Sequence, residues 1–281
     1  MDMWVFLAVL AGAACHAGWN AIVKTGLDPF LSMTLVALAV TALALPMAPF
    51  VAVPDVQVWP WLLASMGLHT GYKLFLIQAY RTGDLAQVYP IARGTAPLLV
   101  AIVMALGFGE SLGAMAQTGM GLLIAGIWLM SVRGGRQRSR PDRRAIGFAL
   151  LTSVFIAGYT LVDGLGARRN ADAHGYVVWL FVFDGLVMLA VLLLRRGPRA
   201  LGALLPFWRS GLCGGAMSLG SYWVAIWAMT VAPIALVAAL RETSVLFALG
   251  ISAVMLREPP SRWRLLSALT IIAGIAAIRL G

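Results

Sequence analysis

Charge is what this sequence has least of. Only 11% of its 281 residues are Asp, Glu, Lys or Arg, under half of the quarter or so found in soluble domains. So few charges exclude a soluble enzyme, a disordered chain and a nucleic-acid module, despite a formal net charge of +10. Cysteine is nearly absent too. Cys15 and Cys213 both lie in apolar runs, so neither a disulfide framework nor a metal-ligand pair is expected. The three histidines, His16, His69 and His174, follow no HExxH or paired-acid spacing, so no metal is expected. There is no GxxxxGK[ST] loop to hold a nucleotide, and no cofactor is expected. The first apolar run has Asp2 where a signal peptide would carry basic residues, so no cleavable leader is expected.

Long apolar runs are what is there. A membrane-crossing helix needs about 20 mainly apolar residues. Ten such runs occur, near 3–23, 31–53, 60–80, 86–107, 112–132, 144–164, 174–194, 208–230, 234–256 and 262–280. Asp28-Pro29, Pro54, Gly197-Pro198 and Pro259-Pro260 punctuate the links between them, as breakers should. The expected fold is therefore an all-α integral membrane protein with ten transmembrane helices. The long basic link, residues 133–143, divides it into a first five-helix repeat, 1–132, and a second, 144–281. Arg93 stands 17 residues before Glu110, as Arg241 does before Glu258, and the two pairs are 148 residues apart. The same offset maps Thr95 onto Thr243 and Gly126 onto Gly274. Ala17-Gly18-Trp19-Asn20 also parallels Ala157-Gly158-Tyr159-Thr160. Five spans per half is an odd number, so the repeats would insert with inverted topology, an arrangement used by secondary transporters.

Orientation follows from the Lys and Arg in short links. One side receives Lys24, Arg81, six arginines between Arg133 and Arg144, Arg195, Arg196, Arg199, Arg209, Arg257, Arg262 and Arg264. The other receives only Arg168, Arg169 and Arg279. The first side is expected to be cytoplasmic and both termini extracytoplasmic. The positive excess is then a topology signal with affinity for anionic lipid headgroups; no nucleic-acid partner is expected.

This pattern resembles the drug/metabolite transporter superfamily, in its ten-span EamA-type branch. Five-plus-five duplication carries the resemblance, with Gly109-Glu110 and Arg257-Glu258 ending the fourth span of each half and glycines (Gly121, Gly126; Gly274) in the fifth. His16-Ala17-Gly18-Trp19-Asn20 and Arg241-Glu242-Thr243-Ser244 add to it. The resemblance implies a bacterial cytoplasmic (inner) membrane protein that exports small organic metabolites, amino acids first among them. The family has no universal substrate motif, so no residue role transfers.

Polar residues at membrane depth must carry the site. A charge at mid-bilayer costs about 2.5–3.5 kcal/mol on insertion scales, so it faces a cavity or a partner. At 1.5 Å per residue, Lys73, Arg93, Asp184 and Arg241 lie about 12–15 Å from their span ends, near the middle of a core about 30 Å thick. Glu242 adjoins Arg241 but cannot face it on one helix. Asp163, five residues from Arg168, is expected at the interface. Three deep cations against two deep acids leave one cation for a substrate carboxylate. The candidate substrate-binding set is Lys73, Arg93, Arg241, His69, Tyr72, Tyr89, Trp223 and Asn20. Asp184, Glu242 and His69 are the candidate charge partners or proton carriers. Glu110 and Glu258, at span ends, are expected to be structural.

The expected function is therefore secondary transport, with a small-molecule substrate at a midplane cavity between the halves. An efflux pump for cationic drugs would need an unpaired midplane acid, which the cation surplus disfavours. An intramembrane enzyme would need a nucleophile or metal constellation, and none is expected.

Overall fold

The computed structural model describes residues 1–23, 27–82, 85–133, 143–256 and 261–280. Within them the chain is helical without strands. The first half holds α1 (Met3–Val23), α2 (Pro29–Ala44), α3 (Trp59–Thr82), α4 (Leu85–Phe108) and α5 (Ala114–Arg133). The second holds α6 (Arg143–Arg169), α7 (Ala173–Arg196), α8 (Trp208–Val231), α9 (Ile234–Arg241), α10 (Ser244–Leu256) and α11 (Arg262–Leu280). Among the described residues, eight segments are long and apolar enough to cross a membrane. A ninth apolar helix, Ala114–Met130, is shorter. α3 spans 24 residues and carries His69, Lys73 and Gln78 along its length. Counting α9 and α10 as one broken crossing, these make ten.

Local chemistry sets the boundaries. Asp28 caps α2 by accepting from the Phe30 and Leu31 amides, with Pro29 following it; proline suits the first turn, where its missing N–H costs nothing. Asp172 caps α7 in the same way, and Gly197 ends it at φ 72°, a left-handed backbone that favours glycine. Two expectations need correction. The second span does not run helically to residue 53. α2 stops at Ala44 and continues as a 3-10 stretch, Leu45–Phe50, because Pro46 and Pro49 cannot supply the α-helical amide bonds. The ninth span is also not continuous. At Glu242 and Thr243 the amides bond to Ala239 and Leu240, an i→i+3 turn that separates α9 from α10.

Packing runs between the halves as much as within them. α5 lies on α11, α3 on α6, α1 on α8 and α2 on α7, while α4 packs on α6 and α1 on α10. α5 and α11 meet backbone to backbone: a Cβ on Gly119 would fall 2.6 Å from the Gly274 carbonyl oxygen, and one on Gly274 would mirror it. Small residues are what permit such close approach between membrane helices.

The bundle has two dissimilar ends. At one, Arg168 donates to the Met229 and Ala232 carbonyls at 2.8 and 2.9 Å and approaches Glu110 at 3.4 Å. Glu110 in turn accepts from the Ala235 amide at the start of α9. At the other end, Arg196 pairs with Asp28 at 2.9 Å. Glu110 thus ties the α4–α5 link to α6 and α9. Lys24, the residues 134–142 of the basic link, and Arg257 to Pro260 lie outside the described residues.

Candidate functional site

The middle of the bundle holds a cavity of about 610 Å³ of empty space, its mouth included. α1 contributes His16 and Trp19, α2 Met33, Val36, Ala37 and Val40, and α3 His69, Tyr72 and Lys73. The second half adds Tyr159, Phe181, Asp184, Ser218, Tyr222 and Arg241. Met33 and Trp19 lie near the Asp28–Arg196 end of α2 and α1, so the lining extends toward that end. Toward the Arg168 end the helices close: Leu62, Leu165, Tyr176, Val177 and Val178 are all buried.

Three ionic arrangements surround the cavity, and each is chemically different. In the first, Lys73 Nζ donates to both oxygens of Asp184, at 2.6 and 2.5 Å, joining α3 to α7. In the second, Arg93 Nε donates to Glu242 Oε2 at 2.8 Å, joining α4 to the turn after α9. Arg93 is only 2% exposed and does not line the cavity. The third centres on Asp163, which is 0% exposed. His69 Nε2 meets its Oδ2 at 3.0 Å, Tyr176 donates to Oδ1 at 3.0 Å and Tyr222 donates to Oδ2 at 2.5 Å. Four helices therefore meet at one carboxylate.

Arg241 completes the site. Its guanidinium lies over the Tyr222 ring, 4.7 Å from the centroid, and it also interacts with Tyr159. It has no carboxylate in ion-pair contact among the described residues. Stacking occupies the face of the guanidinium, and the N–H groups not turned to Tyr159 can meet a planar anion. Around it the aromatic rings brace one another: His69 stacks on Tyr159 at 4.1 Å, and Tyr222 meets both edge-on.

The sequence-based candidates sort as follows. Lys73, His69, Tyr72, Arg241 and Asp184 come together at the cavity. Arg93 and Glu242 are brought to each other beside it. Asn20 does not join them, because its amide donates to the His16 carbonyl of its own helix. Neither does Trp223, whose indole donates to His174 Nδ1 at 2.7 Å. The side chain of Tyr89, like Glu258, lies outside the described residues.

Asp163 overturns the interfacial expectation. α6 continues to Arg169, so Asp163 lies inside the bundle, and the count of deep acids rises to three. The surplus cation therefore disappears as an arithmetic result. What remains is a geometric one, because among the described residues Arg241 is the deep cation without a carboxylate in contact. Tyr159 was visible in the duplicated tetrapeptide, where it matches Trp19, and both residues line the cavity. Nothing in the sequence singled out Tyr176 or Phe181.

These features define a multi-pass helical membrane protein with a polar cavity at its centre. Residues 143–280, the second half of the chain, match the model of the EamA-like transporter family. The matched segment is just under half of the chain. A solved crystal structure, described only as that of a protein, is similar over 99% of this chain and 96% of its own, with a TM-score of 0.73 and 18% identity. At that identity the likeness is one of fold alone. No curated protein matches the sequence.

Proposed function

We propose that the protein is a secondary transporter of small organic metabolites that carry a carboxylate, with amino acids as the first candidates and export as the direction that the family resemblance implies. The family match suggests a membrane transporter of small molecules, and the substrate class rests on Arg241. This is a guanidinium at the cavity wall, stacked on Tyr222 and without a carboxylate partner among the described residues. A carboxylate there gains two parallel, charge-assisted hydrogen bonds. The surrounding rings of Trp19, Tyr72, Tyr159 and Phe181 suit an apolar side chain.

Alternating access would move one half against the other around this cavity. The exchangeable pairing supports two inverted repeats, since α3 on α6 has its counterpart in α8 on α1. Lipids on the basic end and a bacterial inner membrane with both termini outside belong to the same proposal. A catalytic role has no support from a match to transporters. The cationic-drug reading has one observation in its favour, because Asp163 has no Lys or Arg in contact among the described residues. That carboxylate is screened from the cavity by His69 and Tyr222, however, and the cavity wall itself presents two cations and one acid.

The test is a thermal-shift screen of detergent-solubilised protein against amino acids, other carboxylates, sugars, nucleosides and organic cations, followed by ATP-free flux in proteoliposomes. Ligand bound to the folded state raises the melting temperature by mass action. Carboxylated compounds should give the shifts. Shifts confined to organic cations would replace this reading with the efflux one.

A further inference from the structure

The three buried acids around the cavity differ in what they can do without their charge. Protonating Asp184 would leave Lys73 buried and unpaired, and protonating Glu242 would do the same to Arg93. An orphaned buried charge is strongly unfavourable. Asp163 is held otherwise. Its three partners are an imidazole and two phenols, none of which needs a negative partner. It is the buried acid whose site can gain a proton without orphaning a cation.

We propose that the His69–Asp163 pair is a proton-binding site, linked through Tyr222 and Tyr159 to a carboxylate held by Arg241, so that substrate and proton are bound and carried together. The inference rests on the carboxylate reading above. His69 forms part of the cavity wall while its Nε2 faces Asp163. A proton arriving from the cavity adds to the other ring nitrogen, and Nε2–H continues to donate to Asp163. Release reverses the step, and no other bond changes.

The linkage follows from charge and contact. With His69 neutral, the buried set of Lys73, Arg93, Arg241, Asp163, Asp184 and Glu242 sums to zero. Two of its pairs are closed. The remaining members, Arg241 and Asp163, share Tyr222: the guanidinium lies on the ring and the hydroxyl donates to the carboxylate. An arriving carboxylate claims Arg241 and leaves Asp163 one positive charge short, which a proton on His69 supplies. The ionisable groups around the pair are Tyr72 and Lys73 on α3, Tyr159 on α6, Tyr176 and Asp184 on α7, Tyr222 on α8 and Arg241 on α9. His16, Arg93 and Glu242 stand behind them. Of the two histidines in this set, His69 is the one that meets Asp163, and imidazole is the side chain suited to exchanging a proton near neutral pH. A metabolite accumulated inside would thus leave together with a proton, down its own gradient.

The test uses two probes of one shape, L-leucine and its deaminated analogue 4-methylpentanoate. Binding to wild-type protein in weakly buffered detergent solution is followed with a pH indicator, and affinity is measured across pH. The expected result is proton uptake on binding of 4-methylpentanoate, with affinity rising as pH falls by up to about tenfold per unit, and less uptake with L-leucine, whose ammonium brings its own positive charge. His69→Gln and Asp163→Asn should abolish the uptake and flatten the profile. Tyr176→Phe removes one donor to Asp163 but leaves the pair, so uptake should persist with its pH dependence shifted to higher pH. Binding of 4-methylpentanoate without proton uptake in the wild type, or binding of L-leucine but not of 4-methylpentanoate at any pH, overturns the proton site and leaves the carboxylate reading standing. Uptake that persists in monodisperse His69→Gln and Asp163→Asn also overturns it. If neither probe binds at any pH, both the proton site and the carboxylate reading fall.

Discussion

Arg93 and Arg241 stand 148 residues apart at matching places in the two halves, yet the structure treats them as opposites. Arg93 is locked onto Glu242 and hidden from the cavity, whereas Arg241, 8% exposed, forms part of its wall. The difference lies in the next residue. Glu242 follows Arg241 but points to the other half's arginine, and Gly94 follows Arg93. A side chain has no room at Gly94, where a Cβ would come within 2.9 Å of the Trp128 ring. One half therefore supplies both the acid that neutralises its neighbour's arginine and the arginine left facing the cavity. On the proposed reading, this asymmetry makes one of two spacing-matched buried arginines a structural tie and leaves the other at the cavity wall.

The largest expected effect comes from breaking the tie. Arg93→Gln leaves Glu242 buried without its partner, which should cost about 3–5 kcal/mol and appear as lost monodisperse yield. Arg93→Gln combined with Glu242→Gln should recover much of that yield. If the single variant folds as well as wild type, the two arginines are not distinguished as described.

Crowding the asymmetric position is the next test. Gly94→Ala should cost about 1–3 kcal/mol by overpacking against Trp128, read as a lower melting temperature. An unchanged melting temperature would remove steric crowding as the reason why the first half lacks an acid.

How much of this contrast was legible beforehand differs by level. The spans were readable because twenty apolar residues have few alternatives in water or lipid. The equivalence of Arg93 and Arg241 was readable because it is a matter of spacing. Their different fates were not, since Glu242's partner is chosen by α4 packing against α9, a tertiary fact. The α9–α10 turn was hidden as well, because Glu242-Thr243 carries neither proline nor glycine. Asp163 was misjudged because depth was measured from Arg168. That arginine does sit at the bundle's end, but α7, α8 and α3 enclose the turn before it. Trp223 was chosen by depth and Asn20 by its helical spacing from His16, and neither criterion reports which partner a side chain finds.

Those two residues give a smaller prediction. Asn20→Ala and Trp223→Phe should leave substrate affinity within about twofold of wild type, measured in the same binding assay as the arginine variants. A loss of tenfold or more would extend the site beyond the cavity wall. Smallest of all is the arginine at the bundle's rim. Arg196 pairs with Asp28, but both side chains are more than a third exposed, so Arg196→Gln should change stability by at most about 1 kcal/mol. That result would separate a surface ion pair from the buried Arg93 tie.

The central claim is that Arg241, alone of the two matched arginines, is held open for a carboxylate. It is tested most directly by Arg241→Gln. The variant protein should remain monodisperse and melt close to wild type, while its affinity for whichever carboxylated ligand the screen identifies should fall about a hundredfold, near 2.7 kcal/mol. Wild-type affinity in a folded Arg241→Gln protein would contradict the account.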